Sequence, residues 1–151
     1  LEKFSPARII LDSNLKIPIN HNLIVLGKKY RTIIFYNSIK KEKIKMLKKH
    51  KIHLIKETLN PDGLFDLKNI LLKVKNLGFS RVLLESGLKL STNFFKLNLV
   101  DDFYLFISNK NIKSHAKNNI KNFMKLYLKN KKSENIKINL FGEKLIKFKV
   151  Q

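Results

Sequence analysis

Short β-rich apolar runs alternate along this chain with stretches whose apolar residues recur at helical spacing. That order limits the fold more than any other feature, because alternating strand and helix patterns mark an α/β domain. Ala7 to Leu11 (ARIIL), Thr32 to Tyr36 (TIIFY), Arg81 to Glu85 (RVLLE) and Phe103 to Ile107 (FYLFI) read as strands, and Ile52 to Ile55 as a shorter one. RVLLE is apolar between its charged ends, so it reads as a strand buried on both faces. Between the strands, Ser38 caps a helix through about His50, with Ile44 and Leu47 as its apolar contacts. The clearest helix is Leu67 to Leu77, where Leu67, Ile70, Leu71, Val74 and Leu77 share a face. Asp66 is its N-cap and Gly78 its stop. A further helix runs from about Leu90 to Leu97 behind Gly87. Asp12-Ser13-Asn14 and Asn60-Pro61-Asp62-Gly63 read as turns. The end, Ile136 to Phe141 and Lys144 to Val150, reads as a hairpin around Gly142-Glu143. With 151 residues and neither an internal repeat nor a linker, the chain reads as one domain.

Charge is the second constraint. Lys plus Arg is 32 against 11 Asp plus Glu, a net charge of +21. Such a balance favours anionic ligands and raises the question of nucleic acid. Only Arg8, Arg31 and Arg81 are arginines, however, and arginine supplies the fork that reads guanine and clamps phosphate. Isoleucine (18) and asparagine (17) are also abundant, and Lys, Asn and Ile share A+T-rich codons. Much of the charge therefore reads as codon bias spread over a solvated surface. Between Lys110 and Lys132, Ile120, Phe123, Met124, Tyr127 and Leu128 form an apolar helical stripe. Lys113, Lys117, Lys121, Lys125 and Lys129 form a basic row beside it, at roughly 0.2–0.5 kcal/mol of repulsion per neighbouring pair. The chain has no cysteine, which excludes a disulfide scaffold, a thiolate metal site and a cysteine nucleophile. Of the four histidines only His50 and His53 are close, with no third ligand nearby, and no metal site is expected. No apolar run approaches the roughly 20 residues of a bilayer span, and no membrane contact is expected.

The stretch with most chemical content is Val82 to Val100, VLLESGLKLSTNFFKLNLV. It passes from strand to tight turn to helix. Gly87 at the turn lets backbone amides approach a ligand with no Cβ in the way. The helix that follows turns its N-terminal amides and positive dipole end toward the same place, which suits a phosphate or pyrophosphate. Ser91 and Thr92 add hydroxyl groups. Glu85 ends the strand where open α/β sheets bind ligands, and can accept hydrogen bonds from amino or imino groups. Asp101 and Asp102 offer an acid/base pair on paper, but more often such residues make a turn and a strand start.

Four segments in order resemble the RibD C-terminal domain. They are RIILDSNLKIP from Arg8 to Pro18, Leu84-Glu85-Ser86-Gly87 with Leu90 and Phe94-Phe95, Leu99-Val100-Asp101-Asp102-Phe103, and Phe141-Gly142-Glu143-Lys144-Leu145. The resemblance implies an α/β, dihydrofolate-reductase-like fold, a mixed sheet flanked by helices. It also implies that residues 1–151 are the C-terminal portion of a RibD-type reductase domain incomplete at its N-terminus. The chain opens on Leu1, and the first strand and much of the substrate grip are expected in sequence before it. The implied reaction is reduction of 5-amino-6-(5-phosphoribosylamino)uracil to its ribitylamino product in riboflavin biosynthesis, with NADPH as cofactor.

Carried over position by position, Ser13 matches a serine near NADPH and Glu85 the glutamate that contacts substrate. Gly87, Leu88, Lys89, Leu90, Ser91, Thr92 and Asn93 match the turn and helix start that hold NADPH. Asp101 matches a structural residue. No residue of this chain is matched to a catalytic role. The implied partners are the phosphoribosylaminopyrimidine substrate, a second copy in a homodimer and a deaminase domain upstream, in a cytoplasmic protein. Two departures stand out. Ser86 replaces the first glycine of the family's Glu-Gly-Gly, and Ser108 to Lys113 lacks its usual Pro-Lys-x-x-Gly loop. The alternatives are a related pyrimidine or dihydrofolate-type reductase, a basic polyanion-binding domain without catalysis, and a non-catalytic interaction module.

Overall fold

The computed structural model describes residues 5–108, 120–138 and 142–151. The chain divides into two compact units, Leu1–Lys73 and Val74–Gln151. The first holds three parallel strands, β1 (Arg8–Leu11), β2 (Thr32–Tyr36) and β3 (His53–Lys56), side by side in that order. Parallel neighbours need a crossover. Here α1 (Asn22–Val25), extended by a 3₁₀ turn over Leu26–Lys28, links β1 to β2, and α2 (Lys41–Lys49) links β2 to β3.

β2 is the centre of this sheet, and all five of its residues are buried. Ile34 and Tyr36 join Leu15, Ile24, Leu47 and Ile52 in one apolar cluster. Alternation sends Ile33 and Phe35 to the opposite face, and they are fully buried too. A strand covered on both faces reads as an unbroken apolar run, as TIIFY does. The side chain of His21 accepts from the Leu23 amide at 3.2 Å and so caps the short α1, an element the apolar pattern does not announce. Gly27 is needed for close approach, since a Cβ there would lie 2.6 Å from the His50 carbonyl oxygen and overlap Ile52.

α3 (Leu67–Asn76) follows the predicted helix closely, with Leu67, Ile70 and Val74 buried. Asp66 caps it, one carboxylate oxygen accepting from the amides of Lys68 (2.9 Å) and Asn69 (3.3 Å). Gly78 ends it at φ +92°, a conformation costly for any residue with a Cβ.

The second unit contains α4 (Leu88–Lys96), β4 (Asp102–Ile107), α5 (Ile120–Tyr127), β5 (Lys132–Ile136) and β6 (Lys144–Lys149). Its three strands are antiparallel in the order β4-β6-β5. Phe95 is the hub of its core. The ring meets Phe123 edge-on at 4.9 Å between centroids and Phe103 at 5.6 Å, each pair worth about 0.5–1.5 kcal/mol beyond burial. Leu128 and Phe148 complete the buried cluster.

Four expectations change. Ser38 is not the cap of α2: the helix starts at Lys41 with Lys40 as its N-cap and no side-chain cap, and the Ser38 hydroxyl accepts from the Lys40 amide at 3.2 Å, too early in the chain to serve the helix amides. Residues 81–87 form no regular secondary structure and join neither sheet, with Val82 48% and Leu83 78% exposed, so RVLLE is not a strand buried on both faces. A doubly buried strand needs a neighbour along each edge, and among the described residues no strand lies beside this one. The last hairpin uses β5 from Lys132 to Ile136; of the expected Ile136 to Phe141 only Ile136 belongs to it, Lys137 and Ile138 are not strand, and 139–141 lie outside the described residues. The strand is polar and exposed because it forms the sheet's edge, with only β6 beside it and Ile136 opposite Leu145. α4 begins at Leu88, two residues earlier than expected, because Gly87 itself is the cap. Of the apolar stripe on α5, Phe123 and Leu128 are buried, while the side chains of Ile120 and Met124 lie outside the described residues. Lys125 and Lys129 are exposed, whereas Lys113, Lys117, the Lys121 side chain and most of the Ser108 to Lys113 loop lie outside the described residues. No described helix is long and apolar enough to cross a membrane.

Candidate functional site

Two places in the chain, one in each unit, hold the polar groups a ligand would use. In the first unit they gather where the parallel strands end, the edge at which open α/β sheets bind ligands. The β1–β2 ladder continues past both strands, with the Asp12 amide donating to Phe35 (3.0 Å) and the Asn37 amide to the Ser13 carbonyl (2.8 Å). Asp12 then folds the chain back on itself. Its two carboxylate oxygens accept from the amides of Lys16 and Ile17, each at 2.8 Å. Lysines of the neighbouring crossover brace the turn from outside, Lys40 donating to the Asn14 carbonyl at 2.9 Å and Lys43 to that of Ile17.

Ser13 therefore sits half-buried on a backbone fixed from several sides, and no described protein group hydrogen-bonds its hydroxyl. Sequence reasoning missed two neighbours at the same edge, Asn37 and Glu57, and gave a third, Ser38, a different role. The Asn37 side chain donates to the Glu57 carbonyl, tying the end of β2 to that of β3. Glu57 is buried, and its carboxylate accepts from the Thr58 amide at 3.1 Å and pairs with Lys73. Ser38 is buried and accepts from the Lys40 amide at 3.2 Å. The signal for Asn37 and Glu57 was positional, since each directly follows a strand.

In the second unit the centre is the start of α4. Gly87 is its N-cap at φ −69° and ψ 165°, which any residue can adopt, and a Cβ built there meets nothing within 4 Å. Neither conformation nor packing within the chain requires glycine at this point. No side chain caps the helix, so the amides of Leu88, Lys89 and Leu90 lack intrahelical acceptors. The hydroxyls nearby are directed at the turn itself. Ser91 reaches the Gly87 carbonyl at 3.3 Å and the Ser86 hydroxyl at 3.1 Å, so Ser91 braces the turn rather than standing free as a donor. Thr92 and Asn93 are half-buried on the next turn of the helix, and Leu88 packs on the aromatic core. Glu85 is exposed, two residues before Gly87.

Ser13 thus lies in one unit, while Glu85 and Gly87 to Asn93 lie together in the other. Asp101 and Asp102 make contacts within the second unit. The Asp101 carbonyl accepts from the Val150 amide at 2.8 Å, and Asp102 stands 3.4 Å from Lys147, whose pKa the hydrogen bond to Asp102 raises. Among the described residues no three His, Asp or Glu gather as a metal site.

The family model of the RibD C-terminal domain matches residues 2–137. The chain belongs to that family. The riboflavin biosynthesis protein RibD of Aquifex aeolicus (strain VF5) is 33% identical over 105 residues, covering 70% of this chain and 28% of the relative. Two crystal forms of Acinetobacter baumannii RibD share the fold at a TM-score of 0.63 and 15% identity, over 97% of this chain and 38% of theirs. The expected RibD-like α/β fold is therefore present, with its parallel and antiparallel strands in two separate sheets. The chain spans about a third of the length of these RibD relatives.

Proposed function

We propose that this chain is the C-terminal portion of a RibD-type reductase domain. It would serve the NADPH-dependent reduction of 5-amino-6-(5-phosphoribosylamino)uracil to the ribitylamino product in riboflavin biosynthesis. One observation carries the reading: the RibD C-terminal domain match over residues 2–137, which takes in Ser13, Glu85 and Gly87. The name of the Aquifex relative supports the pathway, and the greater length of both relatives supports a larger parent protein with a deaminase domain upstream. A homodimer and a cytoplasmic setting belong to the same reading.

The residues present fit a dinucleotide. The uncapped amides of Leu88, Lys89 and Leu90, with open space in place of a Gly87 side chain, suit the pyrophosphate. Ser86 and Ser91 hold that turn in shape, and Thr92 and Asn93 extend the same helix start. In the first unit, taken by itself, Ser13 carries a hydroxyl that no described protein group hydrogen-bonds, and it is read as a cofactor contact from the family match. When bound, NADPH supplies the hydride. Glu85 accepts hydrogen bonds from the amino and imino groups of the pyrimidine and so orients it. The protein's part is to position both partners and exclude water.

Titration of the protein with NADPH, followed by nicotinamide fluorescence, tests this. Saturable binding is expected, weakened about tenfold or more by Gly87→Val, whose side chain would fill the space left for the phosphates. Absence of saturable binding, or binding indifferent to Gly87→Val, overturns it.

A further inference from the structure

Between Glu85 and Gly87 this chain has a serine where the Glu-Gly-Gly pattern has a glycine, and the departure adds a hydroxyl. Ser86 Oγ lies 3.1 Å from Ser91 Oγ and 3.4 Å from the Gly87 carbonyl oxygen. Ser91 Oγ is 3.3 Å from the same carbonyl oxygen, which also accepts from the Ser91 amide at 3.2 Å. Each hydroxyl holds one proton, so the two side chains share these contacts. In each arrangement at least one hydroxyl proton rests on the Gly87 carbonyl.

Ser86 precedes the cap of α4, and Ser91 is the fourth residue of the helix. Apolar side chains at this pair of positions often meet and fix the angle at which a chain enters a helix. Here two hydroxyls meet instead. No sheet ladder fixes the entry, because residues 81–87 form no regular secondary structure. Ser86 is itself exposed, so it serves no core. Its effect falls on the peptide unit between Gly87 and Leu88. That unit is planar and trans, so its carbonyl and its amide point opposite ways. Holding the Gly87 carbonyl toward Ser91 turns the Leu88 amide out of the helix start. The Leu88 amide is the first of those without an intrahelical acceptor. A glycine at position 86 has no side chain to close this staple and leaves the backbone freer.

We propose that Ser86 is a positioning residue for the dinucleotide. Its hydroxyl, stapled to Ser91, orients the Gly87–Leu88 peptide so that the Leu88 amide already faces the pyrophosphate when the ligand arrives. Ser86 acts through that peptide and not by touching the ligand. The proposal rests on the reading of the Gly87 turn as the pyrophosphate site. It adds to that reading a role for the one side chain of the turn that the Glu-Gly-Gly pattern does not supply.

Titration of the full chain with NADPH, followed by nicotinamide fluorescence, tests it on Ser86→Ala, Ser86→Gly and Ser86→Thr. Ser86→Ala and Ser86→Gly are expected to raise the Kd about three- to tenfold, the range of one hydrogen bond. Ser86→Thr keeps the hydroxyl and should bind within about twofold of the parent. The melting temperature of all three should stay within about 2 °C of the parent, since an exposed residue contributes little to stability. Wild-type affinity in Ser86→Ala, or a loss that Ser86→Thr does not restore, overturns the proposal. The pyrophosphate reading then still stands if Gly87→Val weakens binding. If the parent protein itself shows no saturable NADPH binding, the reading and the proposal fall together.

Discussion

TIIFY and RVLLE are runs of the same length and similar apolar content, and they meet opposite fates. The first is the centre of the parallel sheet, with a strand along each edge and every side chain buried. The second stays outside either sheet, with Leu83 mostly exposed. Each backbone amide and carbonyl needs a partner before a strand can leave water. The contrast teaches that burial of such a run is granted by its neighbours and not by its own pattern.

Truncating each run should give the largest difference. Ile34→Ala is expected to lower stability by about 2–5 kcal/mol, because it opens a cavity in a fully buried core. Leu83→Ala should change it by less than about 0.5 kcal/mol. Urea denaturation of both variants measures this, and a Leu83→Ala cost near that of Ile34→Ala would mean that RVLLE is packed in solution.

Two glycines sharpen the same contrast at smaller scale. Gly27→Ala must displace backbone near His50 as well as Ile52, at a cost of about 1–3 kcal/mol. Gly87→Ala finds open space, and thermal melting should leave it within a few tenths of a kcal/mol of the parent.

An effect between those of the two glycines belongs to α3. Asp66→Ala removes a cap that accepts from two amides and should cost about 1 kcal/mol in the same denaturation experiment.

What could be read beforehand follows the same logic. α3 was legible almost to the residue because its period, its aspartate cap and its glycine stop are local signals. β2 was legible because its chemistry agrees with its surroundings. The strand assignment of RVLLE failed because neighbours are not written in a segment's own residues. β5 was displaced because an edge strand such as KSENI needs few apolar residues, while the run after it carries more. At the candidate site, Ser13 and Gly87 could be found from motif order. Asn37 and Glu57 were missed, because their importance comes from parallel strands ending side by side.

Asn37 has one more consequence. Its amide grips the Ser13 carbonyl while its side chain grips that of Glu57, so three loop starts are fastened by a single residue. A molecule arriving at this rim meets a surface already stiff. Less freedom is surrendered on association, and more of each new contact survives as affinity.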